Sequence, residues 1–169
     1  RKTPSHVGRY WDTVADTIGL ILVMCAFGHF LDWSYMLTGG LIFAILFQYS
    51  LFNHFSIRAR MIGAGDTTSR IDEKICPVAQ PWEKQKHVNF FHKIYLIGFS
   101  WQDQIIDALA GKGSESLSFE LTMSSLLGYG FQSILILILA FNSNIELLPE
   151  LILGANGGLM VLVIIRSHF

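Results

Sequence analysis

The chain has 169 residues, 51% of them hydrophobic and only 15% charged, with a mean hydropathy of +0.44. Soluble domains carry about 25% charged residues, so an ordinary water-soluble globule is excluded. The net charge of −1 identifies no partner, and no nucleic-acid partner is expected; the two cysteines, Cys25 and Cys76, have neither disulfide-framework nor zinc-ligand spacing.

The chain opens on a basic, polar segment that leads into Gly8-Arg9-Tyr10-Trp11-Asp12-Thr13-Val14-Ala15-Asp16. The start at Arg1, without an initiator Met, is read as a truncation of one membrane domain covering 1–169. Four segments then reach the ~20 apolar residues that a bilayer crossing needs: Val14–Trp33, Tyr35–Phe55, Leu121–Phe141 and about Leu148–Ile165. Pro149 and Glu150 mark the start of the last. Short links, Asp32–Ser34 and Asn142–Glu146, pair the segments into two helical hairpins. The expected fold is an all-α, polytopic membrane helix bundle.

Residues 56–118 form the long connection between the second and third spans. Met61–Pro81 reads as loop, rich in Gly, Thr, Ser and charge. Residues 83–110 alternate apolar and polar groups behind Lys84 and Lys86, which suggests one or two amphipathic helices at the membrane surface. Gly111–Ser118 reads as a flexible exit. In the fourth span, Gly154 and Gly158 form a G-x3-G that favours close helix packing, within the bundle or across a homodimer.

Charge sets the expected orientation. All 12 Lys and Arg lie before the first span, between the second and third, or after the fourth, and neither hairpin link has one. With four spans, the three basic regions share one side, which the positive-inside rule assigns to the cytoplasm. Asp12 and Asp16 are then expected at the cytoplasmic mouth of the first span.

Four residues apart, these carboxylates share one helix face and repel. An ionised Asp in a span costs about 2.5–3.5 kcal/mol at mid-helix. A divalent cation between them would offset both penalties. The bland alternative is a solvated pair near the positive end of a helix dipole. Gly8, four residues ahead of Asp12, permits close approach of a ligand to the backbone. Arg58 and Arg60 sit just past the second span, as positive-inside anchors or as a grip on a substrate phosphate. Asp103 and Asp107 read as a solvated polar face, and His54 as a bundle-facing hydrogen-bonding group.

The G-x3-D-x3-D made by Gly8, Asp12 and Asp16 resembles the second half of the CDP-alcohol phosphotransferase motif, D-x2-D-G-x2-A-R-x8-G-x3-D-x3-D. The first half would lie before Arg1. The four spans would correspond to the third to sixth of that family's six helices. The resemblance implies an integral membrane, metal-dependent transferase of phospholipid-type synthesis. It would pass a substituted phosphate from a CDP-linked donor to an acceptor alcohol and release CMP. It further implies Mg2+ or Mn2+ on Asp12 and Asp16, Asp16 as catalytic base, and Gly8, with Arg58 and Arg60, as substrate-binding positions. A non-catalytic membrane subunit whose acidic pair survives as a structural ion site is the competing expectation. A channel is disfavoured because, Asp16 apart, the span interiors hold almost no ionisable groups.

Overall fold

Long apolar runs hydrogen-bond internally as helices, the only open-chain way to satisfy backbone groups in lipid. The computed structural model describes residues 4–62, 75–111 and 117–168, and no strand occurs among them. Among the described residues four helices are long and apolar enough to cross a membrane: His6–Phe30, Tyr35–Met61, Ser118–Phe141 and Ile145–Arg166. Their flanks expose large side chains such as Leu22, Phe30, Met36 and Phe141. An apolar belt of that extent is what lipid contact requires.

Helix α1 (His6–Phe30) begins eight residues before the span expected from hydropathy. Ser5 caps it: its hydroxyl oxygen accepts from the Gly8 N–H at 2.8 Å and donates to Glu83 at 2.8 Å. The Glu83 carboxylate also accepts from the N–H groups of His6 (3.2 Å) and Val7 (2.8 Å). Three of the amides that a helix start leaves without partners are thus satisfied, two by a residue far away in sequence. Hydropathy could not see this start, because the first turns of α1 are polar.

The Glu83 contacts have a consequence for pH. Burial raises the Glu83 pKa, but the hydrogen bonds from Val7, Ser5, His6 and Gln80 outweigh it and leave the carboxyl below its ordinary value. A depressed carboxylate pKa stabilises the fold above the unfolded pKa, and that contribution is lost as pH falls through the folded value. Glu83→Gln is therefore expected to lower the thermal midpoint at neutral pH, with a cost near the ~1 kcal/mol typical of a lost cap. It should also flatten the fall in stability between about pH 5 and pH 3. Unfolding followed by circular dichroism across that range checks both.

After a tight link in which Asp32 adopts φ 52°, α2 (Tyr35–Ile62) returns beside α1. The segment 83–110 supplies two amphipathic helices, α3 (Gln85–Gly98) and α4 (Ser100–Leu109). They form a hairpin that stands along the spans. On α3, His92 and Tyr95 pack their rings on Tyr10 of α1. On α4, Trp101 stacks on Phe43 in the middle of α2, and Gln102 accepts a hydrogen bond from Ser50 at 3.1 Å. The outer face, with Phe90, Ile97 and Ile105, is exposed. Of the expected loop and exit, residues 63–74 and 112–116 lie outside the described residues.

The third span is broken. Helix α5 (Ser118–Ser125) ends in a turn at 126–128, and α6 (Tyr129–Phe141) continues from it. Gly128 lies at the break, where a Cβ would come within 3.1 Å of the Phe52 ring. The fourth span opens with a 3-10 turn (Ile145–Leu147), passes through a π-helical turn (Glu150–Ala155) and becomes α7 (Asn156–Arg166). Gly154 and Gly158 are exposed and a Cβ on either would meet nothing within 4 Å. Among the described residues they therefore pack against no other helix, contrary to the expected role within the bundle.

Two apolar cores result. Met24, Leu41, Ile45, Leu139, Leu148 and Ile152 fill the half nearer the hairpin links. Leu51, Phe55, Ile106, Leu127 and Val163 fill the half nearer the N-terminus of α1. The second half is the basic end. Trp82 donates to the Pro4 carbonyl there, Arg58 donates to the Gly111 carbonyl at 3.1 Å, and the Gly111 N–H donates to Ser167 at 2.9 Å. Arg9, Arg58, Arg60, Lys84 and Arg166 all lie at that end, as their positions in sequence required.

Candidate functional site

Asp12 and Asp16 lie on the second and third turns of α1, at the basic end, and both side chains are exposed. No hydrogen bond or ion pair among the described residues uses either carboxylate.

The two carboxylates open onto different spaces. Asp12 lines a small polar pocket of about 150 Å³ between α1, α2 and α3, with Arg9, Arg60, Tyr49, Asn53 and Tyr95. Asp16 lines a cleft of about 640 Å³ between α1 and α6. Its other polar groups are Tyr129, Gln132 and Ser133, and its remaining walls are apolar, from Leu20 to Phe27 on α1 and from Ile136 to Ala140 on α6. The partition between the two spaces is aromatic. Tyr49 and Tyr129 stack with centroids 3.9 Å apart and planes within 3°. The Tyr129 hydroxyl in turn lies 3.4 Å from that of Thr17.

The other expected site residues divide. Arg60 shares the pocket with Asp12, and its guanidinium also donates to the Ser56 hydroxyl at 3.1 Å. Arg58 is not among the residues lining that pocket. It ties α2 to the end of α4 through Gly111 and lies 3.4 Å from His54. Gly8 is exposed, and a Cβ there would come within 3.1 Å of the capping Ser5 hydroxyl. The cap therefore supplies a local reason for glycine besides backbone access. Asp103 accepts from the Tyr95 hydroxyl at 2.5 Å rather than standing wholly in solvent. Asp107 stays mostly exposed beside His54, at 3.8 Å.

Sequence reasoning passed over Arg9, Tyr49, Tyr129 and Gln132. Arg9 carried a readable signal, since it precedes Asp12 by three residues and so shares its face. The other three carried none. Their roles depend on which spans become neighbours.

A divalent cation needs several oxygen ligands. Asp12 and Asp16 are hard oxygen donors without internal partners, so they suit part of such a set. Among the described residues no third His, Cys, Asp or Glu joins them into a group that could hold a metal.

The fold and its surface thus define a polytopic membrane protein with a helix-bundle architecture. No family model, curated protein or solved structure matches the chain.

Proposed function

We propose that the chain is an integral membrane CDP-alcohol phosphotransferase whose site faces the cytoplasm. One observation carries the reading. A single turn of α1 places one unpaired carboxylate in a pocket with two guanidinium groups and the next at the mouth of an apolar cleft. Phosphoryl transfer between a nucleotide and an alcohol needs that division of labour: cations for the phosphates, a base for the hydroxyl.

In this mechanism Arg9 and Arg60 face the anionic phosphates of the donor, for which their forked donors are suited. Asp16 accepts the proton of the acceptor hydroxyl. The alcohol oxygen bonds to the phosphorus of the substituted phosphate, the phosphorus–oxygen bond to CMP breaks, and CMP leaves with that electron pair. A bound Mg2+ or Mn2+, held in part by Asp12 and Asp16, would neutralise phosphate charge.

The test is CMP release by the full-length protein from CDP-linked donors, with a panel of alcohols and with and without Mg2+. Metal-dependent release with one alcohol class supports the reading. Absence of release with every alcohol would leave the non-catalytic subunit.

A further inference from the structure

The hairpin of α3 and α4 is polar where it meets the spans and apolar around its tip. Toward the spans, the Tyr95 hydroxyl donates to Asp103 at 2.5 Å, Gln102 accepts from Ser50 at 3.1 Å, and Asp107 lies 3.8 Å from His54. No charged residue occurs from Ile94 to Gln102, the stretch that holds the turn. Ile97, at 82% exposure, Trp101 and Ile105 remain exposed on the outer side. A pair of helices covered by water turns its polar groups outward instead. The tip is also deep. Gly111 ends the hairpin at the basic end, bonded to Arg58 and Ser167. Trp101 lies ten residues before it, about 15 Å at the 1.5 Å rise of a helix. Its ring meets Phe43 and Phe47 of α2, with centroids 5.8 Å and 6.3 Å away. Phe47 is eleven residues from Arg58 on α2, roughly 16 Å, so both helices measure the same depth. That is about half of the ~30 Å hydrocarbon core.

We infer that α3 and α4 form a re-entrant hairpin, inserted tip-first among the acyl chains of the leaflet at the basic end, with Ile97, Trp101 and Ile105 against lipid. Lipid tolerates a turn only where its backbone is hydrogen-bonded within the protein. Here the Phe99 N–H donates to the Tyr95 carbonyl at 2.8 Å, and the Phe99 carbonyl accepts from the N–H groups of Gln102 at 2.9 Å and Asp103 at 3.2 Å. The exposed Gln104 amide donates to the Ser100 hydroxyl at 3.0 Å. The outer face continues a surface that a membrane span already presents, because Phe43 is exposed within α2 and its ring stacks on Trp101. The remaining charges lie toward the basic end. Asp107 is one turn from Gly111. Lys93 belongs to α3, whose side chains lean toward its N-terminus and so toward the basic end, where the ammonium can snorkel to the headgroups. Through Tyr95 the hairpin also walls the pocket of Asp12, and insertion sets that wall between the pocket and lipid. Insertion of the hairpin is independent of the phosphotransferase reading.

Fluorescence quenching tests the placement. The full-length protein, carrying Cys25→Ser and Cys76→Ser, is held in phosphatidylcholine nanodiscs with a single bimane on Ile97→Cys, Ile105→Cys, Lys86→Cys or Ile138→Cys. All four side chains are exposed, so the labels displace no packing. Ile138, in the α6 span, is the lipid reference. The quenchers are iodide in the water and phosphatidylcholine with a nitroxide on the headgroup or at mid-chain. The labels at positions 97 and 105 should lose most of their fluorescence to the mid-chain nitroxide, as the label at 138 does, and little to iodide. The label at position 86, near the start of α3, should show the reverse. Quenching at 97 and 105 by iodide puts the hairpin in water, and stronger quenching by the headgroup nitroxide lays it on the membrane surface. Either result overturns the insertion. So does protection from every quencher, which means that a second protein chain covers the face. Melting curves that match the unlabelled parent tie each reading to the folded hairpin.

Discussion

Asp16→Asn in the full-length protein is expected to lower the rate of CMP release by about 10²–10⁴-fold, the usual worth of a positioned general base. Its effect on stability should have the opposite sign or be absent. Asp16 is exposed and makes no internal hydrogen bond among the described residues, so the fold loses no contact with it. The amide is nearly isosteric, so packing along the cleft mouth is kept. Removing one charge also relieves the repulsion from Asp12, worth about 0.2–0.5 kcal/mol for like charges at this spacing. The thermal midpoint should therefore hold or rise slightly while turnover collapses. That combination is what distinguishes a reacting group from a structural one. Normal turnover in the variant would remove Asp16 from the chemistry, and a lowered midpoint would show that its charge supports the helix instead. Measuring initial rates and melting curves on the same preparation decides between them.

The legible parts of this fold were those written in local composition. Four spans, two hairpins, a shared basic end and an amphipathic pair of helices follow from hydropathy and charge, because lipid punishes exposed polar backbone wherever it occurs. What could not be read depends on contacts distant in sequence. Glu83 extends α1 by capping it from the far side of a long connection. The break at Gly128 answers to Phe52, and the π-helical turn at 150–155 answers to Gln48. The candidate site shows the same division. Asp12 and Asp16 stood out because carboxylates entering a span are costly, and that cost is visible locally. Arg58 and Arg60 were indistinguishable in sequence. They differ in the structure because two residues along α2 turn the helix by more than half a revolution, which sends one guanidinium to Gly111 and the other to the pocket of Asp12.

Gln48 is where the fold and the cleft meet, and Gln48→Leu is expected to destabilise the protein by about 2 kcal/mol. Gln48 is 2% exposed and bridges three spans, from α2 to the π-helical turn and to α6. Leucine removes the donor from the Ile152 carbonyl and the acceptor from Gln132 Nε2. Buried polar groups left unmatched cost about 1–3 kcal/mol each. Measured hydrogen bonds between membrane helices average about 0.6 kcal/mol, with a maximum near 1.7, because the unfolded chain in lipid finds other partners. Two losses on the membrane scale come to about 1.2–3.4 kcal/mol, a range that contains the expected value. The Ile152 part should dominate, since Gln132 Nε2 keeps the Leu127 carbonyl when Gln48 is lost. A double-mutant cycle separates the parts. Gln132→Leu alone should cost less than Gln48→Leu, and the pair should cost less than the sum, because each variant already breaks the bond they share. Unfolding in mild detergent, followed by loss of helical signal, gives the three values.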